Sequence, residues 1–138
     1  MNRWTGMGRL VRDPDMKFTK NGKCLTRFAL AINYKVNGEN RSEFVQCQSW
    51  ESIAEAVGEH YGKGDKILVT GYLTTRQYRK NEEKRFFTYV VVEHVELAQK
   101  YNRLPKVPEV ETLPEFTAGS VDEWPPITEE EIFDEIPF

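Results

Sequence analysis

Between residues 25 and 97 several separate stretches carry apolar residues at every second position, and one stretch among them takes a different period. This single change constrains the fold more than any other feature of the chain. Residues 25–34 alternate, with Phe28, Leu30 and Ile32 on one face and Arg27, Ala29, Ala31 and Asn33 on the other. Glu43–Trp50 alternates again. Over residues 51–62 Ile53, Val57 and Tyr61 come four apart, with Ala54 and Ala56 beside them, as on a short helix. Ser52-x-x-Glu55 fits a capping box, and Gly62-Lys63-Gly64 fits a helix end. Ile67, Val69, Gly71 and Leu73 return to period two. A last strand covers Phe87–Leu97, where Val90-Val91-Val92 breaks the alternation, either at a bulge or because both faces are buried. A weaker strand lies in residues 2–11, so the order is three strands, one helix, two strands.

Turn chemistry punctuates this order. Asp13-Pro14 and Asn21-Gly22 mark turns, with the short run Met16-Lys17-Phe18 between them. Lys35–Ser42 reads as a polar loop centred on Asn37-Gly38, and a long hairpin turns near Asn81 to Glu83. The fold class is all-β with one short helix. Among small all-β folds the order suits the OB-fold, a five-stranded Greek-key barrel whose second and third strands and flanking loops bind oligonucleotides.

The third strand bears on function. Val45, Cys47 and Ser49, small enough for a narrow barrel interior, share one face; Phe44, Gln46, Gln48 and Trp50 share the other. Flat rings among amides suit stacking of unpaired bases, at roughly 1–3 kcal/mol per base. The competing reading is that Phe44 and Trp50 face a second core layer. The small residues beside Arg27 would let a backbone approach closely, or form a plain solvated face. The hairpin carries Arg76, Arg79, Lys80, Lys84 and Arg85 with Tyr78 and Phe86 interleaved.

Charge divides the chain. Residues 1–100 hold 17 Lys/Arg and 12 Asp/Glu, whereas residues 101–138 hold 2 and 10, so a +5 body carries a −8 arm. Pro105, Pro108, Pro114, Pro125 and Pro126 interrupt that Glu-rich arm, which has too few apolar residues to offset the entropy of ordering it. The expected organisation is a domain at 1–100, a flexible Glu/Pro-rich linker at 101–131 and a disordered acidic–hydrophobic tail at 132–138. In that tail Asp134, Glu135, Ile136, Pro137 and Phe138 combine acid, apolar groups and a terminal carboxylate, which suits a protein partner with an apolar pocket beside Arg or Lys.

Other classes fit poorly. No apolar run is long enough to span a membrane, and Met1-Asn2-Arg3-Trp4 lacks a signal segment, so the cytoplasm is expected. Cys24 and Cys47 form no CxxC pair and read as reduced thiols, with Cys47 a small core residue. Asp13-x-Asp15, His60 and His94 assemble no nucleophile, base and orienter, so neither an enzyme, nor a metal, nor a cofactor is expected.

The chain resembles the bacterial-type single-stranded DNA-binding proteins. The motifs are Gly8-Arg9-Leu10 with Asp13-Pro14, Asn21-Gly22, Phe28-Ala29-Leu30-Ala31 followed by Asn33, Glu43-Phe44-x-x-Cys47-x-x-Trp50, Lys63-Gly64, Gly71-x-Leu73-x-Thr75-Arg76-x-Tyr78 and the tail Asp134-Glu135-Ile136-Pro137-Phe138. The resemblance implies a homotetramer of OB-folds wrapped by single-stranded DNA. It implies that Phe44, Trp50 and Tyr78 stack bases; beside the loop of residues 35–42 either Tyr34 takes the family's stacking position or that site is lost. Arg3, Lys63 and Arg76 fall at basic DNA-contacting positions, Gln46 stands where some relatives have Arg, and Arg27 and Arg79 add cations to the same strands. The tail would recruit replication, recombination and repair proteins. Three features depart from the pattern: Thr5 and Gly6 replace branched aliphatics, Val36 leaves Tyr34 as the aromatic near its loop position, and the linker lacks a Gly/Gln-rich stretch. These departures leave a phage- or plasmid-borne member open. The competing classes are a protein–protein adaptor on an OB scaffold and an RNA-binding OB protein, because stacking does not distinguish RNA from DNA.

Overall fold

Apolar side chains at every second position give each strand one face to bury, and closing the sheet on itself buries them together. The computed structural model describes residues 1–101 and Trp124. Its elements are β1 (Trp4–Leu10), β2 (Asp15–Phe18), β3 (Cys24–Val36), β4 (Glu39–Trp50), α1 (Glu51–His60), β5 (Lys66–Lys80) and β6 (Glu83–Gln99). The sheet runs β1-β5-β6-β4-β3, and β3 returns to β1 through Arg9↔Ala31 and Leu10↔Leu30. That ring is the expected OB-fold barrel. Its β4–β6 seam is parallel, with Cys47↔Val90 and Gln48↔Val91 in register, and the other pairings are antiparallel. β2 lies outside the ring as an exposed four-residue edge on β3.

The barrel interior holds Leu10, Phe28, Leu30, Cys47, Ile67, Val69, Val90 and Val92, and Val57 of α1 packs against them. Thr26 Oγ1 donates to the Ala54 carbonyl at 2.7 Å, tying α1 to β3. Both cysteines are buried and unpaired, and burial pushes both thiols up from their ordinary pKa.

Three local readings change, and the alternatives at Val90–Val92 are decided. The expected loop at 35–42 is a two-residue turn: β3 runs to Val36, β4 starts at Glu39, and Asn37 and Gly38 take φ of 52° and 82°. Two consecutive positive φ values match the right-handed twist of a hairpin, so the strands continue outward as a ribbon. Asn81 and Glu82, at 53° and 66°, turn the β5–β6 hairpin similarly. The capping box does not form, because α1 starts at Glu51 with Trp50 as its N-cap, two residues before Ser52, and no side chain caps it. Ala29 and Ala31 are not open to a ligand's backbone but buried against this chain's own Val11. Val90–Val92 is buried on both faces, and a register shift lies between Thr70 and Gly71, whose partners are His94 and Val92. Gly6 has a local reason: a Cβ there would lie 2.3 Å from the Trp4 ring, and Trp4 packs against the core cluster.

Asp65 pins the end of the barrel. Its carboxylate accepts from the N–H groups of Gly62 and Tyr101 and from Lys100 Nζ, each at 2.9 Å. Burial alone would push this carboxyl up, but the two N–H groups and the ammonium outweigh it and hold its pKa below the ordinary value. A depressed folded-state pKa contributes stability above the unfolded-state pKa and loses it as pH falls through the folded one. Asp65→Asn should therefore cost about 1–3 kcal/mol in urea unfolding at neutral pH. The gap from the parent should hold down to about pH 5 and close below about pH 4. A gap that persists at pH 2 would mean that the charge is not what matters.

Candidate nucleic-acid interface

Strand register assembles one continuous outer face. On β3 and β4 the pairs Arg27↔Gln48, Ala29↔Gln46 and Ala31↔Phe44 point away from the interior, opposite in parity to Phe28↔Cys47 and Leu30↔Val45. Across the parallel seam Gln48 meets Val91, which places Tyr89 and Phe87 on the same side. β5 continues it, because Thr74 pairs with Tyr89, Arg76 with Phe87 and Tyr78 with Arg85. A row of aromatic and basic residues thus runs from β3 to the tip of the β5–β6 hairpin.

The face is wet at both ends and packed in the middle. Phe44 is 39% exposed on the β3–β4 ribbon. At the other end Tyr78, Phe86 and Phe87 line an open cleft of about 430 Å³ with Glu83, Lys84 and Arg85. Between them Arg27 is buried, and its Nε donates to Gln48 Oε1 at 3.1 Å. Trp124 lies here: its ring centroid is 4.6 Å from Phe87 and 5.1 Å from Tyr89, and the Arg27 guanidinium carbon is 4.6 Å from that centroid.

The structure brings some expected site residues together and separates others. Phe44, Gln46, Arg27, Arg76 and Tyr78 share the outer face, and Arg79 is exposed beside Tyr78. Trp50 lies at the buried end of β4. Cys47–Trp50 is buried along its whole length, Trp50 is only 8% exposed, and its indole N–H has no partner among the described residues. Tyr34 has the opposite parity to Phe44, and its hydroxyl donates to Glu43 Oε1 at 2.9 Å. Arg3 is exposed just before β1, and Lys63 is exposed in the α1–β5 loop, its N–H donating to Asp13 Oδ1 at 2.7 Å. Asp134–Phe138 lie outside the described residues. Phe87 and Tyr89 are functional candidates that periodicity alone passes over. Their signal is the hairpin register, which sets Phe87 opposite Arg76 and Tyr89 opposite Thr74.

Among the described residues no helix is long and apolar enough to cross a membrane. Residues 1–98 match the model of the single-strand binding protein family. The chain is 39% identical over 106 residues to single-stranded DNA-binding protein 2 of Listeria monocytogenes, covering 74% of this chain and 66% of that protein. It is 37% identical over 103 residues to the single-stranded DNA-binding protein of Halalkalibacterium halodurans, covering 72% and 61%. Against single-stranded DNA-binding protein A of Bacillus subtilis the identity is 35% over 106 residues, covering 74% and 62%. The chain thus spans a little under two thirds of these relatives' length.

Proposed function

Because the chain belongs to the single-strand binding protein family, we propose that it binds single-stranded DNA along the outer face of β3, β4, β6 and β5, without reading sequence and without chemistry. The observation that carries this is the continuity of that face, where Phe44, Phe87 and Tyr78 stand among Arg27, Arg76 and Arg85 across four neighbouring strands. Aromatic rings accept any base, and guanidinium groups track phosphates and release counterions. Phe44 and Tyr78 are the stacking residues at the two ends; Arg76, Arg79 and Arg3 serve the backbone.

The protein acts where replication, recombination and repair expose single strands, in the cytoplasm. Asp134–Phe138 captures partner proteins of those processes; acid and apolar groups together in one short segment support this. Copies associate as a tetramer. Exposed Met7, Leu73 and Leu97 on β1, β5 and β6 supply apolar surface for that contact.

Titration with poly(dT), followed by intrinsic fluorescence at several salt concentrations, tests the reading. Binding should saturate at low salt. With about five phosphates neutralised, affinity should fall about a hundredfold between 50 and 200 mM salt. No saturable binding at low salt removes the proposal.

A further inference from the structure

β2 ends the sheet, with β3 on one side and no strand on the other among the described residues. Thr19, just past β2, donates its N–H to the Lys23 carbonyl and accepts at its own carbonyl from the Gly22 N–H, both at 2.9 Å. Its backbone groups therefore face the β3 side. That direction alternates along a strand, so the N–H and C=O groups of Met16 and Phe18 turn to the open edge. Register settles where their side chains lie. Met16 and Phe18 pair with Thr26 and Cys24, on the side that α1 covers, because Thr26 Oγ1 donates to the Ala54 carbonyl. Asp15 and Lys17 lie on the other side with Arg27, and pair with each other at 3.3 Å. Met16 rests on Gly58 of α1, where an added Cβ would lie 2.7 Å from its Sδ. Phe18 is 63% exposed. The border of this ledge is acidic. Glu51, Glu55 and Glu59 recur four apart on one face of α1 and are exposed. The Cys24 thiol, opposite Phe18, registers them: burial first pushes its pKa up, and Glu55, Glu51 and Glu59 push it the same way.

We infer that the open edge of β2 is a docking site for an extended segment of a partner protein that carries apolar residues and Lys or Arg on one face. Such a segment adds a strand to β2 through the backbone groups of Met16 and Phe18. It covers the Phe18 ring and sets its cations against Glu51, Glu55 and Glu59. Charge selects this occupant over the others. DNA and the Glu-rich arm have the same sign as the ledge. A second copy paired edge to edge about a two-fold axis would bring two acidic stripes to one side of the joined sheet. The ledge lies on the side of β2 and β3 opposite Arg27, so it stays open while a strand occupies the proposed DNA face. It does not depend on the DNA-binding reading.

The test uses the full chain, isotopically labelled for amide NMR, and a capped peptide of sequence Lys-Thr-Val-Thr-Lys-Thr-Val, which as a strand carries Lys and Val on one face. At low salt the peptide should bind and slow hydrogen exchange at the Met16 and Phe18 amides by about tenfold or more. Phe18→Pro removes the edge donor and the ring but no bond to β3, and should weaken peptide binding about tenfold or more. Phe18→Ser keeps the donor and should weaken it about fivefold. Glu55→Gln with Glu59→Gln should weaken it about threefold at low salt and leave it unchanged at high salt. The same peptide with Glu for Lys should not bind. If the Lys peptide does not bind, or shifts only the amides of residues 102–138, the docking site is overturned; in the second case the peptide has met the acidic arm. Equal binding of the Glu peptide overturns the basic partner. Met16 and Phe18 amides protected without peptide, and more so as protein concentration rises, would mean that a second copy covers the edge, and would overturn it too. Loss of poly(dT) affinity in a folded Phe18→Pro protein would place the edge on the DNA surface instead.

Discussion

Gly71→Ala should destabilise the barrel by about 3 kcal/mol or more and lower its melting temperature by about 10 °C or more. Gly71 sits on β5 at the register shift opposite His94 and Val92 of β6. A Cβ built there would lie 2.0 Å from the Val91 carbonyl oxygen, 2.9 Å from its carbon and 3.1 Å from Val92 Cα. These are backbone atoms, so no rotamer change relieves the overlap. Relief requires β5 and β6 to separate where Val69, Val90 and Val92 close the core. A domain of this size has only about 5–15 kcal/mol of stability to lose. Gly58→Ala is the matched control. It also meets an atom too closely, 2.7 Å away, but that atom is the Sδ of Met16, a flexible side chain on exposed β2. Gly58 lies within α1, where alanine gains about 1 kcal/mol of helix propensity. Circular-dichroism melts of the two variants should therefore move in opposite directions, or Gly58→Ala should stay near the parent. A Gly71→Ala protein that melts with the parent would show that β5 and β6 are not locked together at this point.

The parts of the fold that were legible in the sequence are those set by local period and local turn chemistry. Alternation located β3, β4, β5 and β6, and the switch to a spacing of four located α1. The order of those elements was enough for the barrel topology. The length of the β3–β4 ribbon was less legible, because a polar stretch reads as a loop unless Asn37-Gly38 is weighed as a two-residue turn. Trp50 shows a different limit. Alternation assigns a residue to a face but does not say whether that face is open, and β4 is flanked by β3 and β6 and followed directly by α1. Its last four residues are buried whichever way they point. Phe87 and Tyr89 gain meaning only from their cross-strand partners, and register is a tertiary fact. The contact between Trp124 and Arg27 spans nearly a hundred positions and left no trace in any local pattern.

Phe44→Ala and Tyr78→Ala should each weaken poly(dT) binding about tenfold or more, and together about a hundredfold or more. The two rings stand on different hairpins, Phe44 paired with Ala31 and Tyr78 paired with Arg85, and the central cluster lies between them. Residues that stack different bases and share no partner contribute nearly additively. Phe44 is partly exposed on a ribbon outside the core, so its replacement should change stability by only about 0.5 kcal/mol. Neither change removes a charge, so the dependence of affinity on salt should keep its slope. Arg79→Ala should do the reverse, with a modest loss at low salt and a slope smaller by about 0.7. Trp50→Phe separates burial from contact. With Trp50 only 8% exposed, this change should lower the melting temperature and leave affinity nearly unchanged. An affinity loss from Trp50→Phe equal to that from Phe44→Ala, at unchanged stability, would mean that DNA draws the indole out of β4. Strictly additive losses at Phe44 and Tyr78 would place one strand across both ends of the face. A double variant no weaker than the worse single one would confine the strand to one hairpin.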